Sequence, residues 1–146
     1  MTPTLLQPRL KGDRFDQHSL TLLDPLDIET QLENFIDLKD GWYNGQGKAF
    51  NLDDLRKLAE DFERNFDADL PLPYLYPTPD GEVEAEWEIG RYAVSLEIAL
   101  PSKNAYYHQL HIDTREDAEE DLQLTETSAW QELNSKLQTL IKEVNV

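Results

Sequence analysis

Cysteine is absent from the chain, which excludes a disulfide framework and thiolate chemistry and leaves the fold to be held by packing alone. Histidine is scarce: His18, His108 and His111 are the full supply, too little for an obvious imidazole-based catalytic or metal set. Basic residues are also few. Thirteen Lys and Arg against thirty Asp and Glu give a formal charge of -17, which opposes direct binding to a phosphate backbone over most of the surface. No apolar run approaches the roughly 18 residues of a membrane span, and the opening residues lack the basic, apolar, small-residue order of a secretory signal. A cytoplasmic protein with no membrane and no nucleic-acid partner is therefore expected. Its 146 residues, 39% of them hydrophobic, suffice for one domain with its own core.

What the chain does have is alternation. Between Pro71 and Asp113, apolar side chains recur at every second position through three successive runs, the period of strands with one buried face. Val83, Ala85, Trp87 and Ile89 alternate with Glu82, Glu84, Glu86 and Glu88. Tyr92, Val94, Leu96, Ile98 and Leu100 form a second series whose polar side includes Glu97. In the third run, Tyr106, His108, Leu110 and Ile112 read as the apolar side, with Tyr107, Gln109 and His111 opposite. Turn chemistry separates the runs at Asp80-Gly81, Gly90-Arg91 and Pro101 to Asn104, and Pro71 and Pro73 place Tyr74 to Tyr76 at a sheet edge.

Helices flank this meander. Asp24 reads as the N-cap of the first, with Pro25 at its first position and Ile28, Leu32, Phe35 and Ile36 on one stripe. Asn51 caps a second, whose apolar side includes Leu52, Leu55, Leu58, Phe62 and Phe66. A third begins near Ser128 and lines up Trp130, Leu133, Leu137 and Leu140. The acidic stretch from Asp113 to Glu126 reads as a solvated loop running into a short strand at Asp121 to Leu124; it lacks the glycine and ligand spacing of a calcium loop. Segregated helices and strands give the fold class: α+β, an antiparallel meander of about four or five strands with helices packed on one face. Residues 24 to 146 form that domain. Residues 1 to 23 precede it as an arm, locally basic through Arg9, Lys11 and Arg14, in which Phe15 to Leu23 suits a short edge strand.

Between the first two helices, glycines at 41, 45 and 47 make a compact loop around Trp42. Its spacing is not that of a phosphate loop, because Lys48 is followed by Ala49 and no strand precedes. Gly41-Trp42-Tyr43-Asn44-Gly45-Gln46-Gly47-Lys48-Ala49, the run Leu70 to Pro79, the hairpin from Asp80-Gly81 to Glu86-Trp87, and Leu96-Glu97-Ile98 resemble an uncharacterised family of small bacterial proteins. Its pattern is a Gly-Trp loop, a helix and a Pro-x-Asp-Gly hairpin closing on Glu-Trp. The resemblance covers about residues 30 to 146, with Tyr43 where many relatives carry Asp or Leu. It implies the fold and no catalytic assignment, and it implies an accessory role of the kind found in toxin-neutralising or defence loci. Trp42 and Trp87 are the expected anchors that pin the loop to the sheet.

Three functions compete. Metal binding or catalysis by His108, His111 and Asp113 fails on strand geometry, since His108 and His111 point to opposite faces. Paired carboxylates drawn from Glu84, Glu86 and Glu97 would suit a small hydrolase, and they equally suit a solvated sheet face. An acidic, non-enzymatic protein-interaction module is the reading the composition favours, with no cofactor and no metal. Glu82, Glu84, Glu86, Glu88, Glu97 and Tyr107 would dock a basic protein or, in a narrower form, imitate nucleic acid toward one. Arg9, Arg14 and Phe15 of the arm would add a second contact, including one to another copy.

Overall fold

The computed structural model describes residues 25–145, so Asp24 and the arm lie outside the described residues. These residues form α1 (Ile28–Glu33), α2 (Leu52–Asn65), β1 (Tyr74–Pro77), β2 (Val83–Ile89), β3 (Tyr92–Ile98), β4 (Asn104–His111), β5 (Asp117–Gln123) and α3 (Thr127–Val144). The strands make one antiparallel sheet in the order β1-β2-β3-β4-β5, and the α+β class follows.

Alternation in β2 and β3 does what its period requires. Val83 sits across from Ile98, Ala85 from Leu96 and Trp87 from Val94, and all six are buried on one face. Helices α2 and α3 cover that face through a run of rings: Trp130 meets Phe62 edge-on at 4.9 Å, Phe62 meets Phe66 at 5.7 Å, and Phe66 stacks on Trp87 at 6.0 Å. Both buried indoles have acceptors, Trp130 Nε1–H donating to the Leu124 carbonyl and Trp87 Nε1–H to that of Pro71. The C-terminal end of α2 is tied to α3 by Asn134, whose amide donates to the Asn65 carbonyl and accepts from Asp67 N–H.

Three expectations need correction. In β4 the face turned to the helices carries Ala105, Tyr107, Gln109 and His111, of which Ala105 and Tyr107 are buried, one residue out of step with the expected set. Tyr107, expected among the polar partner-binding residues, is 1% exposed and lies across from Leu96 in the core. Adjacent tyrosines at 106 and 107 make both parities look apolar, and Leu110 and Ile112 tip the reading the wrong way; Ile112 is exposed and lies beyond the strand. Second, Asp117 to Gln123 is a strand rather than a solvated loop with a short strand at its end. An edge strand receives its ladder from one neighbour whatever its outward side chains are, and charges there deter further pairing. Third, the first helix begins later than Asp24. Asp27 is its N-cap, with a side chain that accepts from Thr30 N–H at 3.1 Å and from the Thr30 hydroxyl at 2.6 Å. The cap of α2 is the expected one, Asn51, which accepts from Asp54 N–H.

Among the described residues, a side chain of α1 meets the backbone at the start of the β1 edge. Gln31 of α1 is buried; its Nε2 donates to the Pro73 carbonyl at 2.9 Å and its Oε1 accepts from Leu75 N–H at 2.8 Å. One carboxamide thus supplies this end of β1 with a donor and an acceptor of the kind a neighbouring strand would bring. Gln31→Leu is expected to lower the unfolding free energy by about 2–4 kcal/mol in a urea titration, because two buried backbone groups lose their partners. A loss under about 0.5 kcal/mol would contradict this role.

Candidate functional site

Helices α1 and α2 lie side by side and leave a groove of about 550 Å³ between them. Its floor is apolar throughout: Ile28 and Leu32 from α1, Ile36 from the turn after it, and Leu52, Leu55, Ala59 and Phe62 from α2. Asp27, Glu29, Glu33, Glu60 and Glu63 stand around that floor with Arg56 as the sole cation among the lining residues. Local sequence explains why the floor stays open. α1 ends at Glu33, so Ile36 falls in the following turn and points out of the core, where Leu38 is buried instead. Leu52 sits at the first position of α2, one turn ahead of the buried Leu55 and Leu58. Ile36 and Leu52 are 43% and 39% exposed, and Leu26, next to the groove-lining Asp27, is 57% exposed. These large apolar side chains are gathered in one place rather than scattered singly over the surface. At one end of the groove the Asp27 carboxyl is held below its ordinary value, first by the Thr30 hydroxyl and then by the Thr30 N–H.

The sheet face turned away from the helices holds most of the carboxylates singled out from sequence. Glu84, Glu86 and Glu88 share it with Glu97, and Glu84 stands directly across from Glu97. Exposure on this face is uneven: Glu88 and Glu97 are exposed, Glu84 is half-buried and Glu86 is buried. Glu97 is open to solvent, so the Glu84–Glu97 pair is not enclosed in the way general acid–base chemistry needs. Glu82 lies just before β2, where its N–H donates to the Thr78 hydroxyl at 3.0 Å. Burial in the first place, and then the neighbouring Glu97 and Asp80 charges, hold the Glu82 carboxyl above its ordinary value. At the far side of the face Tyr106 stacks on His108, the Tyr106 hydroxyl donates to Glu119 at 2.8 Å, and His108 Nε2 lies 3.1 Å from Asp117.

His111 is apart from His108: its Nδ1 accepts from the Asp113 and Thr114 N–H groups, both at 3.2 Å, and its ring meets Tyr92 edge-on. Among the described residues, no group of three or more His, Asp or Glu is placed to hold a metal ion. No described helix is long and apolar enough to cross a membrane. Trp42 is half-buried, and its Nε1–H donates to the Lys48 carbonyl of the same loop at 2.9 Å. It holds the loop closed against Gly47, where φ is +99° and an added Cβ would meet the indole at 2.8 Å. Trp87 is buried in the core against Phe66. Arg9, Arg14 and Phe15 lie outside the described residues.

Sequence reasoning passed over the groove because Ile36 and Leu52 fit the helical stripes they belong to. The available signal was excess: an apolar stripe continuing past the end of a six-residue helix has more width than one partner helix can cover. No protein-family model, curated protein or solved structure matches the chain.

The raised Glu82 carboxyl has a pH signature. A folded-state value above the unfolded one favours the folded chain while the group is protonated, and this contribution is lost as pH rises from the ordinary value of 4.5 through the raised one. Glu82→Gln is therefore expected to flatten part of the fall in thermal midpoint between mildly acidic and neutral pH. An unchanged or steeper profile would contradict the assigned cause.

Proposed function

We propose that this chain is a non-enzymatic protein-interaction module that takes a basic, amphipathic helical segment of another protein into the groove between α1 and α2. The observation that carries this reading is the apolar floor left in solvent, with Ile36 and Leu52 exposed inside a rim of five carboxylates and one guanidinium. Helix-in-groove recognition needs an apolar stripe to fill the floor and flanking charges of the opposite sign, and lysines or arginines beside such a stripe would meet this rim. A volume of about 550 Å³ also falls in the range of small-molecule pockets. A floor built only from aliphatic and aromatic side chains, however, offers no convergent polar groups to orient a small polar ligand.

The charge of -17 supports the same reading at longer range, since it speeds encounter with a cationic partner and repels polyanions. In its narrower form the proposal is that of a neutralising partner for a basic protein. Rim carboxylates would set the rate and salt dependence of association, and the floor would set its lifetime.

The test is affinity capture from an extract of the source cells at low salt, run in parallel with wild type and with Ile36→Lys/Leu52→Lys. Both positions are exposed, so the double variant should keep its thermal midpoint. Wild type is expected to retain a basic protein that rising salt releases, and the double variant to hold it about tenfold less well or worse. Equal retention by a folded double variant would overturn the groove as the docking surface.

A further inference from the structure

Charge is unevenly distributed along the α1–α2 groove. Phe35, in the turn after α1, meets Phe50, just before the α2 cap, with ring centroids 5.4 Å apart, so the end of α1 lies beside the start of α2. Toward the other end, Gln31 of α1 bonds Pro73, while Phe66, which follows α2, stacks on Trp87, whose indole bonds Pro71. The two helices are therefore antiparallel. One end of the groove is at Ile36 and Leu52, and the other is at Asp27, Ile28, Phe62 and Glu63.

Helical rise puts the charged lining residues in order. Measured along α2 from Leu52, Arg56 lies at about 6 Å, Glu60 at about 12 Å and Glu63 at about 17 Å. Glu33 is the last residue of α1 and falls toward the Ile36 end, with Glu29 a turn further back and Asp27 beyond it. One half of the rim thus carries Glu33 and Arg56, which offset each other. The other half carries Asp27, Glu29, Glu60 and Glu63 with no cation among the lining residues.

Arg56 is exposed and, among the described residues, makes no ion pair, although Glu60 follows it by one helical turn. A guanidinium standing in water beside an apolar floor keeps its fork of donors for a carboxylate that arrives with a partner. It also repels. A lysine or arginine laid over Arg56 would meet a like charge just as the filled floor excludes water from both, so the same residue rejects a segment that is basic along its whole length.

We propose that Arg56 selects the segment the groove takes: an amphipathic helix of mixed charge, with lysine or arginine over Asp27, Glu29, Glu60 and Glu63 and one aspartate or glutamate over Arg56. The segment then lies in one direction, its acidic end at Ile36 and Leu52 and its basic end at Asp27 and Glu63. This inference rests on the groove being the docking surface and adds what distinguishes its partner from other cationic helices.

Two synthetic helices test it by calorimetric titration of the full-length chain at near-physiological salt, where long-range attraction to the acidic surface is screened. They share a leucine stripe and a lysine cluster at one end; at the other end, one carries glutamate and the other lysine. Wild type is expected to bind the glutamate peptide about fivefold or more tightly despite its lower positive charge. Arg56→Glu should reverse that order and Arg56→Gln should abolish it, both with an unchanged thermal midpoint because the side chain is exposed. Binding of neither peptide by wild type would overturn the groove as a docking surface and this inference with it. Binding of both with equal affinity, a preference for the lysine peptide, or an order that both Arg56 variants leave unchanged would overturn the role of Arg56 alone. A nitroxide at the glutamate end of the bound peptide is expected to broaden the amides of Ile36 and Leu52 and to spare those of Asp27 and Glu63; the reverse would overturn the direction.

Discussion

A sheet has two faces and two edges, and each must be covered, charged or paired before the rest of the chain can settle. That constraint organises this molecule. The apolar face is the energetic centre: rings from α3, α2 and β2 form one continuous contact from Trp130 through Phe62 and Phe66 to Trp87, so the helices and the sheet cannot separate without exposing all four. The two edges are handled by different means. At β1 a buried glutamine meets the backbone at one end, and at β5 a row of outward carboxylates makes strand addition unfavourable. Lys136 fastens β5 from the helix side, paired with Glu120 at 2.7 Å and set over the Tyr107 ring.

Acidity enters the same scheme with several roles rather than one. On β5 it guards an edge. At Asp27 it caps a helix, and around the α1–α2 groove it frames an apolar floor. Glu120 and Glu132 both lie beside Lys136, and their proximity holds the Glu120 carboxyl below its ordinary value and the Glu132 carboxyl above it. A surface this negative would repel itself and any polyanion, so the places where it borders apolar side chains are where a cationic partner gains both attraction and buried area.

Much of this was legible in the sequence, and the limits have physical causes. β2 and β3 were plain because alternation over seven residues has only one consistent reading when one side is glutamate throughout, as in β2, or small and polar residues opposite Tyr92, Val94, Leu96 and Ile98, as in β3. β4 was misread by one residue because Tyr106 and Tyr107 are adjacent, and only the register against β3 decides which ring is buried. β5 was hidden because its stability comes from a neighbouring ladder and not from its own side chains. Gln31 could not be found from sequence at all, since its partners at Pro73 and Leu75 are more than forty positions away. The groove escaped for a related reason: whether Ile36 and Leu52 face a core or open water depends on where α1 stops.

The central claim is that recognition takes place on the helices and that charge alone does not produce it. The most direct measurement is an NMR titration of the isotopically labelled full-length chain with a synthetic amphipathic helix of leucine and lysine. This account predicts shift changes concentrated on the amides of residues 28–36 and 52–63, saturating with added peptide. Changes confined to the β5 positions 117–121, or spread evenly over the acidic surface, would contradict it.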